Sequence, residues 1–490
     1  MKKYAIILGV GLCLSLGSCN DFLDVNPKTE ISEEEYFKNE NEIFKALTGV
    51  YDILQAGHND PHYYFSFCAD IMSDDLNAGG GDATDLMILQ VLDNFTMSPI
   101  TAPHGLWNQY YKGINRANTL MAKIPNASGN PDNLARMNTE AQLLRSIYYY
   151  WLWLYYGNLV ILTENITNPD EYYTQQQRTA TDVYNFLIKE LDEIIGKLPM
   201  TVTGDETGRL TDAVARTLKA KIVLQQNDES RFPEIINELE VIINSGKYNL
   251  VSDFEKMWLR EGEHCEESIF EVEFSVDDNN RMPQISFPRG FTDPTGTFLE
   301  GWGFGTMQKA TVDMYEDSDI RKYATVFAID DSIKAYEGRE KNWSYTPAYQ
   351  NTGYFLKKYA PRVGYYGPSR FDFENNIRVF RYADVLLMAS EALLRSGGST
   401  AKAQEYFSMV YKRARPDVTD VPTVNLDILY LERHKEFVGE GHRYWDLIRT
   451  NQAATYLSDK GWKKHNCYLP IPDSEISKAQ GSLKQNEGYN

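Results

Sequence analysis

Cysteine is scarce in this chain, with five in 490 residues. Cys13 and Cys19 fall near the start, and Cys68, Cys265 and Cys467 remain. Those three allow at most one disulfide and leave a thiol over. No pair has CxxC spacing, so neither a zinc site nor a redox couple is indicated. Basic residues are outnumbered: 49 Lys and Arg stand against 69 Asp and Glu, a formal charge of −20. Such a surface repels phosphate backbones and anionic headgroups, which argues against nucleic acid as a partner. Catalytic motifs are missing too. There is no GxSxG, no HExxH and no P-loop. Gly301-Trp302-Gly303-Phe304-Gly305 lacks the βα unit that a dinucleotide fingerprint needs, and no cofactor is implied. With 69 carboxylates some pair could always be named for a glycosidase, so their number is no argument for one.

Long apolar runs are few. Residues 4–16 form one, thirteen residues long, behind Lys2 and Lys3. That is too short to span a bilayer and fits a secretory leader, residues 1–18. Leu16-Gly17-Ser18-Cys19 has the form of a bacterial lipobox, whereas Leu12 makes Cys13 the poorer candidate. Cleavage before Cys19 and acylation of its thiol are expected. Loss of Lys2 and Lys3 would then take the charge from −20 to −22. Residues 21–31, with Pro27, read as an extended tether, and Ser32-Glu33-Glu34-Glu35 as a capping box. A second run, 147–156, is apolar or aromatic all round. Arg145 and Asn158 bound it, so it reads as a buried helix.

What is abundant is helical periodicity and aromatic side chains. The chain is 42% hydrophobic and holds 33 Tyr and 8 Trp. Apolar residues recur at helical spacing over 106–124, 131–156, 181–198, 232–244, 379–396 and 400–415. Gly208-Arg209-Leu210-Thr211 opens a small-residue helix with Ala213, Ala215, Leu218, Ala220 and Ile222. Paired helices with alanine faces resemble tetratricopeptide repeats, their consensus loosely met. The expected fold is mainly α: a tetratricopeptide-like helical-pair scaffold with a large loop-rich insertion containing short strands. The insertion, 251–375, alternates over 268–274 and is rich in turns and aromatics, among them Phe291, Phe298, Trp302, Tyr345 and Tyr349. Insertions in repeat scaffolds map to one face, often the binding face.

Residues 431–451, LERHKEFVGEGHRYWDLIRTN, are dense in charge. At helical spacing Glu432, Glu436 and Glu440 share a stripe. Like charges four residues apart repel, so arginines from elsewhere are expected across it. Arg378 and Arg381 are the candidates. His434 and His442, eight apart, are a weak basis for a metal pair, and a salt-bridge network is the expected role of this stretch, Arg443 included. Glu432-Arg433, Glu436-Phe437 and Glu440-Gly441-His442-Arg443-Tyr444-Trp445-Asp446 resemble the signature of the SusD/RagB family. Ile377-Arg378, Tyr382 to Leu387 and Glu391-Ala392 match it in order, as do Leu469-Pro470-Ile471-Pro472, Gln485-Asn486 and the segment from Cys19 to Pro27.

The resemblance implies a surface lipoprotein, anchored to the outer membrane through Cys19, that captures oligosaccharides. Its implied partner is a SusC-like TonB-dependent transporter, over which the lipoprotein sits as a lid. Some relatives take peptides, so a peptide or protein binder and a glycan-active enzyme are the alternatives. The implied divisions are 19–250, an N-terminal helical region; 251–375, the ligand face; and 376–490, a C-terminal helical region. The signature residues Arg378, Arg381, Glu432, Glu436, Glu440 and Arg443 are expected to be structural.

Ligand contacts need flat aromatic surface for sugar faces and polar groups for the hydroxyl rim. Trp302, between glycines, and Trp343, with Tyr345 close by, are the stacking candidates. Asp75 and Asn77, in the loop running to Gly79-Gly80-Gly81-Asp82, are the rim candidates. That loop is oxygen-rich, but a chelating glutamate at the twelfth position from Asp75 is lacking, so no EF-hand and no metal site is expected.

Overall fold

The computed structural model describes residues 37–56, 65–166, 168, 171, 173–278, 280–293, 295–329, 344–369 and 372–489. The expected leader, Cys19, the tether, the capping box at Ser32 and Trp343 lie outside those residues.

Helices carry the architecture. The first half supplies α1 (Glu40–Ala56), α2 (Phe65–Met72), α3 (Met87–Asp93), α4 (His104–Lys123), α5 (Pro131–Tyr156), α6 (Ala180–Ile194), α7 (Asp212–Gln226) and α8 (Phe232–Asn244). The second half supplies α9 (Ile320–Thr325), α10 (Tyr382–Arg395), α11 (Thr400–Ala414), α12 (Leu426–Phe437) and α13 (Arg443–Arg449). Each long helix packs on the next: α1 on α4, α4 on α5, α5 on α6, α6 on α7, α7 on α8, α8 on α10 and α10 on α11. Neighbour-to-neighbour packing of this kind is what a stacked helical scaffold requires.

The hub is α5. Asn130 caps it by accepting from the backbone N–H groups of Asp132 and Asn133, and Pro131 fits the first turn. From Leu143 to Tyr156 every side chain is buried. Several of their polar tips are met: the hydroxyls of Tyr148 and Tyr155 donate to Val50 O and Phe65 O, each at 2.6 Å. Tyr156 donates to Pro103 O at 3.0 Å. Leaving such a group unpaired would cost roughly 1–3 kcal/mol. Among the described residues no helix is long and apolar enough to cross a membrane.

Local signals set most helix ends. Thr211 caps α7 through Val214 N, and α8 occupies the expected span. The helix expected over 181–198 is shorter at its end. Thr179 and Asp182 form a reciprocal capping box at the start, and Gly196, at φ +86°, turns the chain after Ile194.

Strands are short: β1 (Leu76–Gly79), β2 (Leu159–Val160), β3 (Gln177–Arg178), β4 (Ser268–Val272), β5 (Phe304–Met307), β6 (Val326–Ala328), β7 (Tyr354–Leu356) and β8 (Ile377–Arg381). The first correction concerns β8, whose residues 379–381 were expected to open a helix. They instead pair antiparallel with β4, placing Arg378 across from Glu271 and Arg381 across from Ser268. A partner strand more than a hundred residues away overrides the local helical pattern. A second sheet has the order β1-β5-β7-β6, with antiparallel neighbours. Under it sits a small separate core of Phe287, Phe291, Phe327, Ile329 and Phe355. Much of the insertion's aromatic load is therefore packing.

Candidate functional site

The charged signature folds into a buried ionic cluster. Arg381 places Nε 2.7 Å from Glu440 and Nη1 3.0 Å from Glu436 and 2.5 Å from Glu267. Arg378 does not reach the stripe. Its position on β8 turns it toward Glu271, with Nε at 3.6 Å, and its other nitrogens donate to Asn376 O and Leu259 O. The remaining cations come from residues that local sequence did not flag. Arg321 contacts Asp319, Glu432 and Glu436; Lys358 contacts Glu440; Arg413 contacts Glu267 and Glu436; Arg415 contacts Glu432 and Asp319.

Five cations thus face five carboxylates, with every one of these side chains 4% exposed or less. Burial alone would raise Glu436, but Arg413, Arg381 and Arg321 hold its carboxyl far below the usual range. Glu440 is not on the helix. α12 stops at Phe437, and Gly439 and Gly441, both at positive φ, carry the chain round. A Cβ on Gly441 would stand 2.6 Å from Ser66 Cα, so this turn needs glycine.

Arg443 also lies off the stripe. It grips Asp74 with two bonds, 2.7 and 2.8 Å, and lies over the Tyr456 ring. His442 stacks on Phe437 with centroids 4.3 Å apart, and burial keeps its imidazole neutral. His434 pairs with Asp75 at 2.6 Å. Asp74, Asp75 and His434 are close enough to share an ion, but Arg443 already takes both oxygens of Asp74.

The second correction is Asp75. It is fully buried, bonded to Thr311 and His434, and so cannot rim an open surface. Asn77 is half-buried on β1 and donates to Thr306 Oγ1 at 3.2 Å. Trp302 is half-buried, part of its ring against the main core. Tyr345 is half-buried and edge-on to Phe355, its hydroxyl bonded to Asn351.

Three of the loops that carry candidates meet. Gly80 N donates to Gly303 O at 2.8 Å, and Tyr349 N donates to Gly80 O at 2.8 Å. Thr346 N donates to Arg289 O at 3.1 Å. Asn77, Trp302 and Tyr345 therefore belong to one patch. Two residues not singled out as contacts belong to it as well. Tyr349 is 39% exposed. Arg289 threads between two glycines: a Cβ on Gly303 would touch its Cδ at 3.1 Å, and one on Gly81 its Nη1 at 2.8 Å. Among the described residues no hydrogen bond or ion pair holds the Arg289 guanidinium. Its position in Pro288-Arg289-Gly290, a turn sequence, was the only local hint. The patch combines flat rings with the planar Arg289 donor and the exposed Asp82–Thr84 turn, whose Asp82 carboxyl feels the Arg289 charge.

Two family models match in tandem. One is described as starch-binding, associating with outer membrane, over residues 21–224, and the other as the SusD family over 266–489. Surface glycan-binding protein A from Bacteroides fluxus is 34% identical, with TM-score 0.84, 92% of this chain and 100% of that one covered. The chain belongs to the SusD/RagB family. Surface glycan-binding protein A from Bacteroides thetaiotaomicron, solved in complex with laminarihexaose, is 33% identical, with TM-score 0.84 and the same coverage. A structure described as a laminarin-binding SusD-like protein is 31% identical, with TM-score 0.85 over 92% of this chain and all of that one. The SusD fold accounts for the mainly helical architecture.

Proposed function

We propose that this chain is a cell-surface glycan-binding lipoprotein that captures oligosaccharides and hands them to a SusC-like TonB-dependent outer-membrane transporter. Its anchor is the acylated Cys19, and it carries out no catalysis. The proposed ligand is a laminarin-type glucan. The observation that carries this reading is the 33% identical relative holding laminarihexaose, because identity at that level extends over 92% of the chain. The patch supports it with suitable chemistry. Tyr349, Trp302 and Tyr345 offer rings for the C–H faces of pyranoses, where stacking gains dispersion and removes apolar area from water. Arg289 and Asn77 offer planar groups for the hydroxyl rim, which orients the sugar. Trp343 is proposed as a further ring of the same site.

Native affinity electrophoresis through gels containing laminarin, starch or no polysaccharide tests the ligand class. Retardation by laminarin alone is expected. Equal mobility in all three gels, with a folded protein, would rule the glucan out. Co-purification with the transporter from detergent-solubilised outer membranes tests the partner.

A further inference from the structure

We infer that Gln350 is a positioning residue that locks the patch and presents Tyr349. This deepens the proposed glycan site and rests on that reading. Gln350 has φ +52°, a left-handed conformation that costs a glutamine energy and that nothing in its side chain favours. Strain of that kind persists only where surrounding bonds over-determine it, and it concentrates at working sites.

Here the bonds can be named. Gln350 Oε1 accepts from Gly79 N at 3.0 Å, at the end of β1. Gln350 Nε2 donates to Asp93 Oδ2 at 2.8 Å. Its carbonyl accepts from Thr306 Oγ1 on β5 at 2.9 Å, and Thr306 Oγ1 in turn accepts from Asn77 Nδ2. One residue therefore ties the β1 loop, β5 and the 345–351 loop together.

The tie is anchored from below. Asp93 also accepts from Ala78 N at 3.1 Å, and its other oxygen meets Lys460 Nζ at 2.6 Å. Lys460 donates further to the carbonyls of Ile71 and Leu76 at 2.8 and 2.5 Å. A half-buried lysine thus fixes a buried carboxylate, which fixes the Gln350 amide, which fixes the backbone beside Tyr349. The left-handed turn at Gln350 sets the direction in which the chain leaves Tyr349, and Tyr349 N closes the loop on Gly80 O. An exposed tyrosine on a free loop would lose rotational and backbone freedom on stacking; one held in place loses less.

Gln350→Gly keeps the left-handed backbone easy and removes only the amide. Calorimetric titration with laminarihexaose should show affinity falling about tenfold, with the thermal midpoint of the whole chain little changed. Tyr349→Ala should weaken binding similarly, and the double variant should be no weaker than Tyr349→Ala alone, since both act through one ring. Ligand-free hydrogen exchange gives an arm independent of any sugar. Amides of Gly79 and Tyr349 should exchange about tenfold faster in Gln350→Gly. Unchanged exchange, wild-type affinity or strictly additive losses would each overturn the inference. A wild-type chain that binds no laminarihexaose would instead overturn the glucan reading, with the exchange arm still deciding whether Gln350 holds the loops.

Discussion

Arg321 Nη1 lies 3.0 Å from Glu436 Oε2, and both side chains are sealed from solvent. Arg321 sits on α9, directly before β6, while Glu436 sits in the last turn of α12. Lys358, two residues after β7, meets Glu440 in the same cluster. The sheet that carries the patch is therefore clamped to the C-terminal helices by buried charge rather than by covalent staples. Removing one partner leaves its counterpart charged and dry, at a cost of roughly 3–5 kcal/mol. Glu436→Ala should lower stability by about that amount in urea or thermal unfolding. A variant as stable as wild type would contradict the clamp.

The same cluster sets an acid limit. Glu436 is held well below its ordinary value of 4.5. A depressed carboxyl contributes stability above its unfolded value and loses it as pH falls toward its folded value. Wild-type stability should therefore hold near neutrality and decline below about pH 4.5. Glu436→Gln should start lower and fall less steeply over that range in pH-stepped thermal scans. Parallel curves would mean the depression is absent.

Glu263 carries the opposite sign. Burial, with Glu271 and Glu273 nearby, pushes its carboxyl up to about 7, against the bonds from Asn376 and the Arg378 charge. A raised carboxyl contributes stability while protonated and loses it as pH rises through that value. The half-exposed position calls for a discount for solvent screening, so Glu263→Gln is expected to add about 1 kcal/mol at pH 8 and nothing at pH 5. A gain that does not vary with pH would show that titration is not its source.

Some of this was legible in residues and some was not. The span of α8 and the wholly buried end of α5 followed from periodicity and an unbroken apolar run, both local signals. β8 was misread because a strand's partner is a long-range fact, and β4 lies across the whole insertion. Arg381 could be guessed from arginine's fit to a glutamate stripe. Arg321, Lys358, Arg413 and Arg415 could not, since nothing near them in sequence announces a buried carboxylate. Asp75 looked solvated beside glycines, yet Thr311 and His434 arrive from distant segments to cover it. Arg289 was missed for the same reason: that its guanidinium makes no hydrogen bond or ion pair among the described residues is visible only in three dimensions.

Arg289 offers a clean separation of binding from stability. No described partner is lost on its removal, so Arg289→Ala should leave the unfolding midpoint within a degree or two, a shift of about 0.5 kcal/mol or less. Its bonds to a sugar rim are charge-assisted, so affinity should fall about tenfold or more. Equal affinity in surface plasmon resonance would remove Arg289 from the contact set.

The lipid anchor is tested by Cys19→Ala. Acyl chains add about 0.8 kcal/mol of membrane affinity per buried CH₂, so their loss should release the chain. Fractionation should find the variant soluble or uncleaved. Correct processing with retention in the outer membrane would contradict anchoring at Cys19.

The most direct test of the glycan reading is isothermal titration of the mature chain with laminarihexaose, beside a Trp302→Ala, Tyr349→Ala variant of matched secondary structure. Saturable binding by wild type, lost or weakened at least tenfold in the variant, is the predicted result. Binding of equal strength by both proteins would place the sugar away from this patch, and binding by neither would contradict the capture of laminarin-type glucan.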